Sequence, residues 1–201
     1  STNRSDIKES NGRKYDQYGN VIEYSPKVSG SRNLLTNGSF ETSGTGGNLL
    51  ANWTRVGGSA TATREGFNSH GNSALKVSSS TAVTDWFYQR VSGINYGDKL
   101  TLRADIKINI PANQNSGAEI KLDYGNGYWE GWYSWGGGTF PMVVTSQAAN
   151  SYVDVYVGLY NTSGTAWFDG VKLEDAGSSN EGYISSAFNS VENSSFENGL
   201  N

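Results

Sequence analysis

The chain has 201 residues, no cysteine and one histidine, which excludes a disulfide framework, a thiolate metal site and Cys–His nucleophilic catalysis. Its net charge is −4 with no Lys/Arg cluster, which argues against a nucleic-acid partner. No apolar run reaches the roughly 20 residues of a membrane span, so membrane insertion is not expected.

Charged residues make up only 17% of the chain while aromatics reach 12% and glycines number 26. Few charges among many Gly, Ser, Thr and Asn read as short β-strands joined by turns. The surplus of Trp and Tyr points to an aromatic binding surface; the plainer explanation is that sheets favour aromatics.

Residues 1–32 are polar. Asp16 and the pair Gly19-Asn20 predict a turn before a short strand over Val21–Tyr24, and Pro26 and Gly30 mark a linker. From Asn33 to Asp175 short alternating runs recur: 73–77, 83–91, 100–110, 118–124, 153–159 and 166–173. The clearest is 100–110, where Leu100, Leu102, Ala104, Ile106, Ile108 and Ile110 alternate with polar residues, giving one dry and one wet face. No stretch carries a helical period, and no helical crossovers separate the strands. The expectation is an all-β antiparallel sandwich of jelly-roll type over 33–175.

After Asp175 comes a second linker. Residues 189–197 then echo 33–41, sharing Asn, Asn, Ser, Phe and Glu at the same offsets. Residues 176–201 therefore read as a linker and the start of a second similar module.

A sugar ring offers an apolar C–H face and a fringe of hydroxyls, so aromatic rings stack on it while polar side chains bond its edge. Residues 124–135 place six aromatics among glycines. Trp129, Trp132 and Trp135, with Tyr128, are the candidate platform; the alternative is that two of the indoles merely cover the open end of the sandwich. Trp86 and Tyr88 share one strand face. They either join a ligand face with Arg103, Asp105 and Asp154 or form the buried pair, and periodicity leaves both open. Trp53 and Trp167 read as packing residues.

Catalysis finds little support. A triad could use only His70, which reads as a turn residue. Asp123, Glu130 and Asp154 offer carboxyls, but their spacing singles out no glycosidase pair. There is no phosphate-loop or dinucleotide fingerprint.

The run Asn33-Leu34-Leu35-Thr36-Asn37-Gly38-Ser39-Phe40-Glu41 resembles the opening strand of galactose-binding-like jelly-roll modules attached to bacterial xylanases and cellulases. In the same order, Leu50 to Trp53, His70 to Val77, Tyr88 to Leu102 and Ala166 to Leu173 resemble that family's later motifs. The resemblance implies a non-catalytic module that binds polysaccharide or cell-surface glycan, monomeric within a multidomain chain. It also implies a structural Ca²⁺ pinning the first strand to the last, held by the Ser39 carbonyl and by Glu41 and Asp169, with Glu65 and Asn68 from the 65–70 loop. The plainer alternative is a solvated Glu41 and an Asp169 that caps a turn.

Residues 15–24 resemble the YD repeat of Rhs-like and wall-associated proteins, which implies a large secreted or cell-surface bacterial parent. The contrasting expectation is a structural spacer that binds no sugar; a glycosidase is the third.

Overall fold

A computed structural model of the chain describes residues 32–67, 69–112 and 115–177, together with the backbone of three short N-terminal strands. Those are β1 (Lys8–Ser10), β2 (Arg13–Tyr15) and β3 (Val21–Tyr24), which form a small antiparallel sheet. The predicted second-module start at 189–197 lies outside the described residues.

The main sheet has eight strands: β4 (Thr54–Val56), β5 (Thr61–Arg64), β6 (Leu75–Ser92), β7 (Lys99–Ile110), β8 (Gly117–Asp123), β9 (Trp129–Ser134), β10 (Gly136–Gln147) and β11 (Tyr152–Asp175). All pairings are antiparallel, and the described residues contain no helix. The all-β antiparallel expectation holds.

The runs at 73–77 and 83–91 are halves of one strand, β6, and those at 153–159 and 166–173 are halves of β11. The polar stretches between them look like turns in the sequence. In the fold they are paired irregularly, with register shifts between Leu159 and Gly164. Asn161 there takes φ 43° and Gly164 takes φ 108°, which bends the ladder without ending it.

Each long strand therefore serves two layers. The first is β9-β8-β11-β6-β4, using Asp154 to Tyr160 of β11. The second is β10-β7-β11-β6-β5, using the other half of β11.

The core lies between the layers. Leu100, Leu102, Ala104, Ile106, Ile108 and Ile110 of β7 are all buried, as are Val153, Val155, Val157 and Leu159 of β11. Each of these Leu, Ile and Val side chains contributes roughly 1.5–3 kcal/mol by leaving water.

The segment after residue 32 is stitched to the end of β11. The Asn33 side-chain amide donates to Val171 O at 2.9 Å, and its carbonyl oxygen accepts from Leu173 N at 3.0 Å. Gly38 runs so close to β11 that a Cβ there would lie 2.1 Å from Val171 O. Phe40 is fully buried against Trp53, with ring centroids 5.4 Å apart.

Candidate functional site

Strand alternation puts Val153, Val155, Val157 and Leu159 in the core, so Tyr152, Asp154, Tyr156, Gly158 and Tyr160 line the outer face of the first layer. Register then brings side chains from other strands beside them. Arg90, Tyr88 and Trp86 of β6 pair with Asp154, Tyr156 and Gly158. Asp123, Lys121 and Glu119 of β8 pair with the same three from the other side. Beyond them, Trp129 of β9 is the partner of Asp123, and Tyr133 that of Glu119.

The aromatic rings on this face form a continuous row. Tyr88 stacks on Tyr156 at 5.2 Å, Tyr156 meets Trp86 edge-on at 5.5 Å, Trp86 stacks on Tyr160 at 6.2 Å, and Tyr160 meets Tyr133 at 6.2 Å. The Lys121 ammonium lies 4.2 Å from the Trp86 ring centre and 4.6 Å from that of Tyr156, which holds both rings by cation–π attraction. Its counter-ion is Glu119 at 4.0 Å, with side chains 14% and 6% exposed respectively. Arg90 and Asp154 form a two-point pair at 2.8 and 2.9 Å, and the guanidinium lies 4.1 Å over Tyr152.

Gly158 sits between Trp86 and Glu119 in the register. A Cβ there would fall 2.2 Å from Asp85 O, so the position admits no side chain. On either side of it, Trp86 Nε1 and Glu119 Oε1 are both fully buried and act on each other. Burial pushes the Glu119 carboxyl above its ordinary pKa, opposed by the Lys121 charge and the Trp86 N–H.

The sequence candidates distribute unevenly over this geometry. Trp86 and Tyr88 lie on the outer face, because the intervening Phe87 is the one buried in the core. Asp154 joins them. Trp129 lies on the same face at the β9 edge. Trp132 points to the opposite side of β9, since its cross-strand partner Ile120 faces the core. Tyr128 and Trp135 flank the two ends of β9. All four are exposed, but they do not make one flat platform.

Arg103 and Asp105 belong to β7 in the second layer and are not brought to Trp86 and Tyr88. There Asp105 accepts from Arg103 at 3.3 Å and lies 2.9 Å from His70 Nε2. Trp167 lies on that second outer face between the Lys76 and Lys107 ammonium groups, at 5.6 and 4.9 Å. Trp53 is buried. Of the carboxyls considered for glycosidase chemistry, Asp154 is locked by Arg90. Glu130, the cross-strand partner of the core residue Leu122, lies on the other side of β9.

Sequence reasoning missed Tyr156, Tyr160, Tyr133, Lys121 and Glu119 as site residues. The signal was present for the first two, which alternate with the buried valines of one strand.

Three of the expected calcium ligands, Glu41, Asp169 and Glu65, hold other partners. Glu41 Oε1 accepts from the backbone N–H groups of Asn72 and Ser73 at 2.7 and 2.8 Å. Asp169 is fully buried; one oxygen accepts from Ser69 N, Ser69 Oγ and His70 N, the other from Gly170 N. Glu65 pairs with Lys76 at 2.7 Å, and that hydrogen bond lowers its pKa. Asn68 lies outside the described residues. Calcium takes six to eight oxygens, and among the described residues no three His, Cys, Asp or Glu side chains gather to hold an ion. The carboxylates of Glu41, Glu65 and Asp169 are already met by protein donors, which does not fit an ion held by all three.

No family model matches the chain. It is 33% identical over 207 residues to the tRNA nuclease WapA of Bacillus subtilis strain 168, and 32% identical to the tRNA3(Ser)-specific nuclease WapA of Bacillus spizizenii. Each alignment covers 94% of this chain but only 8% of the relative's length. Among solved structures, the enzymatically active domain of bacteriophage CBA120 tailspike protein 4 superposes with TM-score 0.57 at 14% identity, over 71% of this chain and 21% of that one. The CBM22-1 xylan-binding domain of Paenibacillus barcinonensis Xyn10C gives 0.50 at 15% identity, over 75% of this chain and 98% of its own. The C-terminal family 22 carbohydrate-binding module of Clostridium thermocellum Xyn10B gives 0.50 at 16% identity, over 69% and 90%. The chain thus has the antiparallel all-β jelly-roll fold found in carbohydrate-binding modules.

Proposed function

We propose that the chain is a non-catalytic carbohydrate-binding module that holds a neutral glycan on the outer face of its first layer, as part of a larger secreted or cell-surface bacterial protein. The observation that carries this reading is the unbroken row Tyr88–Tyr156–Trp86–Tyr160–Tyr133. Its ring surface, most open at Tyr160 and Tyr133, suits the C–H face of a sugar, and the Asp123 carboxylate on the same face suits a hydroxyl at its edge.

The charges favour a neutral ligand. Arg90 is paired with Asp154, and Lys121 is paired with Glu119 and capped by two rings, so neither is a ready partner for an acidic sugar. Asp123 adds a further carboxylate to the face.

Ion pairs at two of the groups weighed for catalysis, His70 and Asp154, support the non-catalytic assignment. The one histidine is tied to Asp105, which also holds Arg103, and Asp154 is tied to Arg90. The tRNA cleavage named for the relatives belongs, on this reading, to the parts of those proteins that the aligned 8% does not include.

Affinity electrophoresis through neutral polysaccharides (xylan, galactan and mixed glucan) and one acidic polysaccharide tests the assignment, beside incubation of the protein with tRNA. Retardation by a neutral polymer and intact tRNA are expected. Folded protein that no polymer retards would make the module a spacer. Cleaved tRNA would overturn the non-catalytic reading.

A further inference from the structure

We infer that this module closes the segment that runs from Asn33 to Glu41 onto the sandwich with a protein cation and a loop of backbone amides, in place of a divalent metal, and keeps its fold without calcium.

The loop between β5 and β6 carries its N–H groups inward onto two carboxylates. Ser69 and His70 donate to Asp169, at 2.9 and 2.7 Å, and Asn72 and Ser73 donate to Glu41, at 2.7 and 2.8 Å. Charge-assisted bonds to backbone N–H groups are among the stronger neutral-donor contacts a carboxylate can make. The close approach depends on Gly71, which lies between the two amide pairs at φ 86°. A Cβ on it would fall 2.4 Å from Glu41 Oε1. Asp169 is in the last strand and Glu41 ends the 33–41 segment, so one loop bridges both ends of the described sandwich. His70 adds a third anchor through Asp105 on β7.

Arg64 supplies the positive charge. Its Nε donates to Phe40 O at 2.8 Å and its Nη2 to Glu41 O at 2.5 Å; Nη1 reaches Ser43 Oγ, and Nη2 also reaches Ser73 Oγ at 3.2 Å. Backbone carbonyls and hydroxyls converging on one centre are the donors a hard cation takes. Here they converge on a guanidinium, whose rigid fork of donors suits several acceptors at once. A divalent ion at these carbonyls would have to expel Arg64 or sit against a like charge.

Thermal unfolding of the whole chain, in calcium and in a chelator, tests the inference. Wild type should melt at the same temperature in both. Arg64→Ala should melt several degrees lower in both, and Arg64→Lys should recover only part of the loss, because an ammonium cannot reproduce the fork. A wild-type melting temperature that falls on chelation would overturn the proposal. So would a saturable calorimetric signal when calcium is added to chelator-treated protein, or an Arg64→Ala variant as stable as wild type. If Arg64→Ala does not fold, the two wild-type measurements decide, since neither needs a variant. Glycan binding enters none of these readouts, so the result is independent of the ligand assignment.

Discussion

The indole of Trp86 lies parallel to the phenol ring of Tyr160, with 5° between planes and 6.2 Å between centroids. The two residues are on neighbouring strands, and the direct cross-strand partner of Trp86 is Gly158, where no side chain separates the rings. Trp86 also meets Tyr156 edge-on, so it is the link between the two halves of the aromatic row.

Trp86→Ala therefore breaks the row at its centre. The expected loss is at least about tenfold in affinity for a polysaccharide that retards wild type, near 1.4 kcal/mol. Affinity gels report the loss, and an unchanged far-ultraviolet circular dichroism spectrum shows that the fold survives. Retention of full affinity would remove the row from the binding site.

Trp129 and Trp132 separate two geometries. Both are well exposed, at 57% and 63%, but alternation puts only Trp129 on the face shared with Tyr133 and Trp86. Trp129→Ala should weaken binding several-fold, while Trp132→Ala should change it little. The reverse order, read by titration calorimetry, would move the ligand from the outer face to the other side of β9.

Asp85 links stability to pH. It is fully buried, bonded twice to Arg55 and accepting from Gly58 N and Ala60 N at 3.0 and 2.8 Å. Burial alone would raise its pKa, but the Arg55 guanidinium and the two amides outweigh it and hold the carboxyl below its ordinary value. A carboxyl depressed in the folded state stabilises the fold above its unfolded pKa, and that contribution is lost as pH falls through the folded one. Asp85→Asn should thus cost about 3 kcal/mol near neutral pH, by loss of a buried ion-pair partner. The gap to wild type should narrow below the ordinary carboxylate range. Denaturant titrations at neutral and acid pH measure both parts; an equal gap at both would separate Asp85 from the acid response.

Much of the fold was legible in the strands themselves. The alternation of Leu100 to Ile110 marks its buried face directly, because a sheet with one wet side must repeat every two residues. Tyr156 and Tyr160 were legible in the same way, opposite Val155, Val157 and Leu159. The continuity of β6 and β11 was not, since their bends use the polar and small residues that elsewhere end a strand.

Within each strand, then, local order alone determined which side chains share a face. Which strands lie beside one another was decided by tertiary pairing. That pairing set Trp86 next to Gly158 and Tyr160, placed Glu119 across from them, and sent Arg103 to the other layer. The physical reason is that a period of two carries no information about a distant partner. Register is chosen by burying both apolar faces at once, and a slip of one residue would turn every ring of this face into the core.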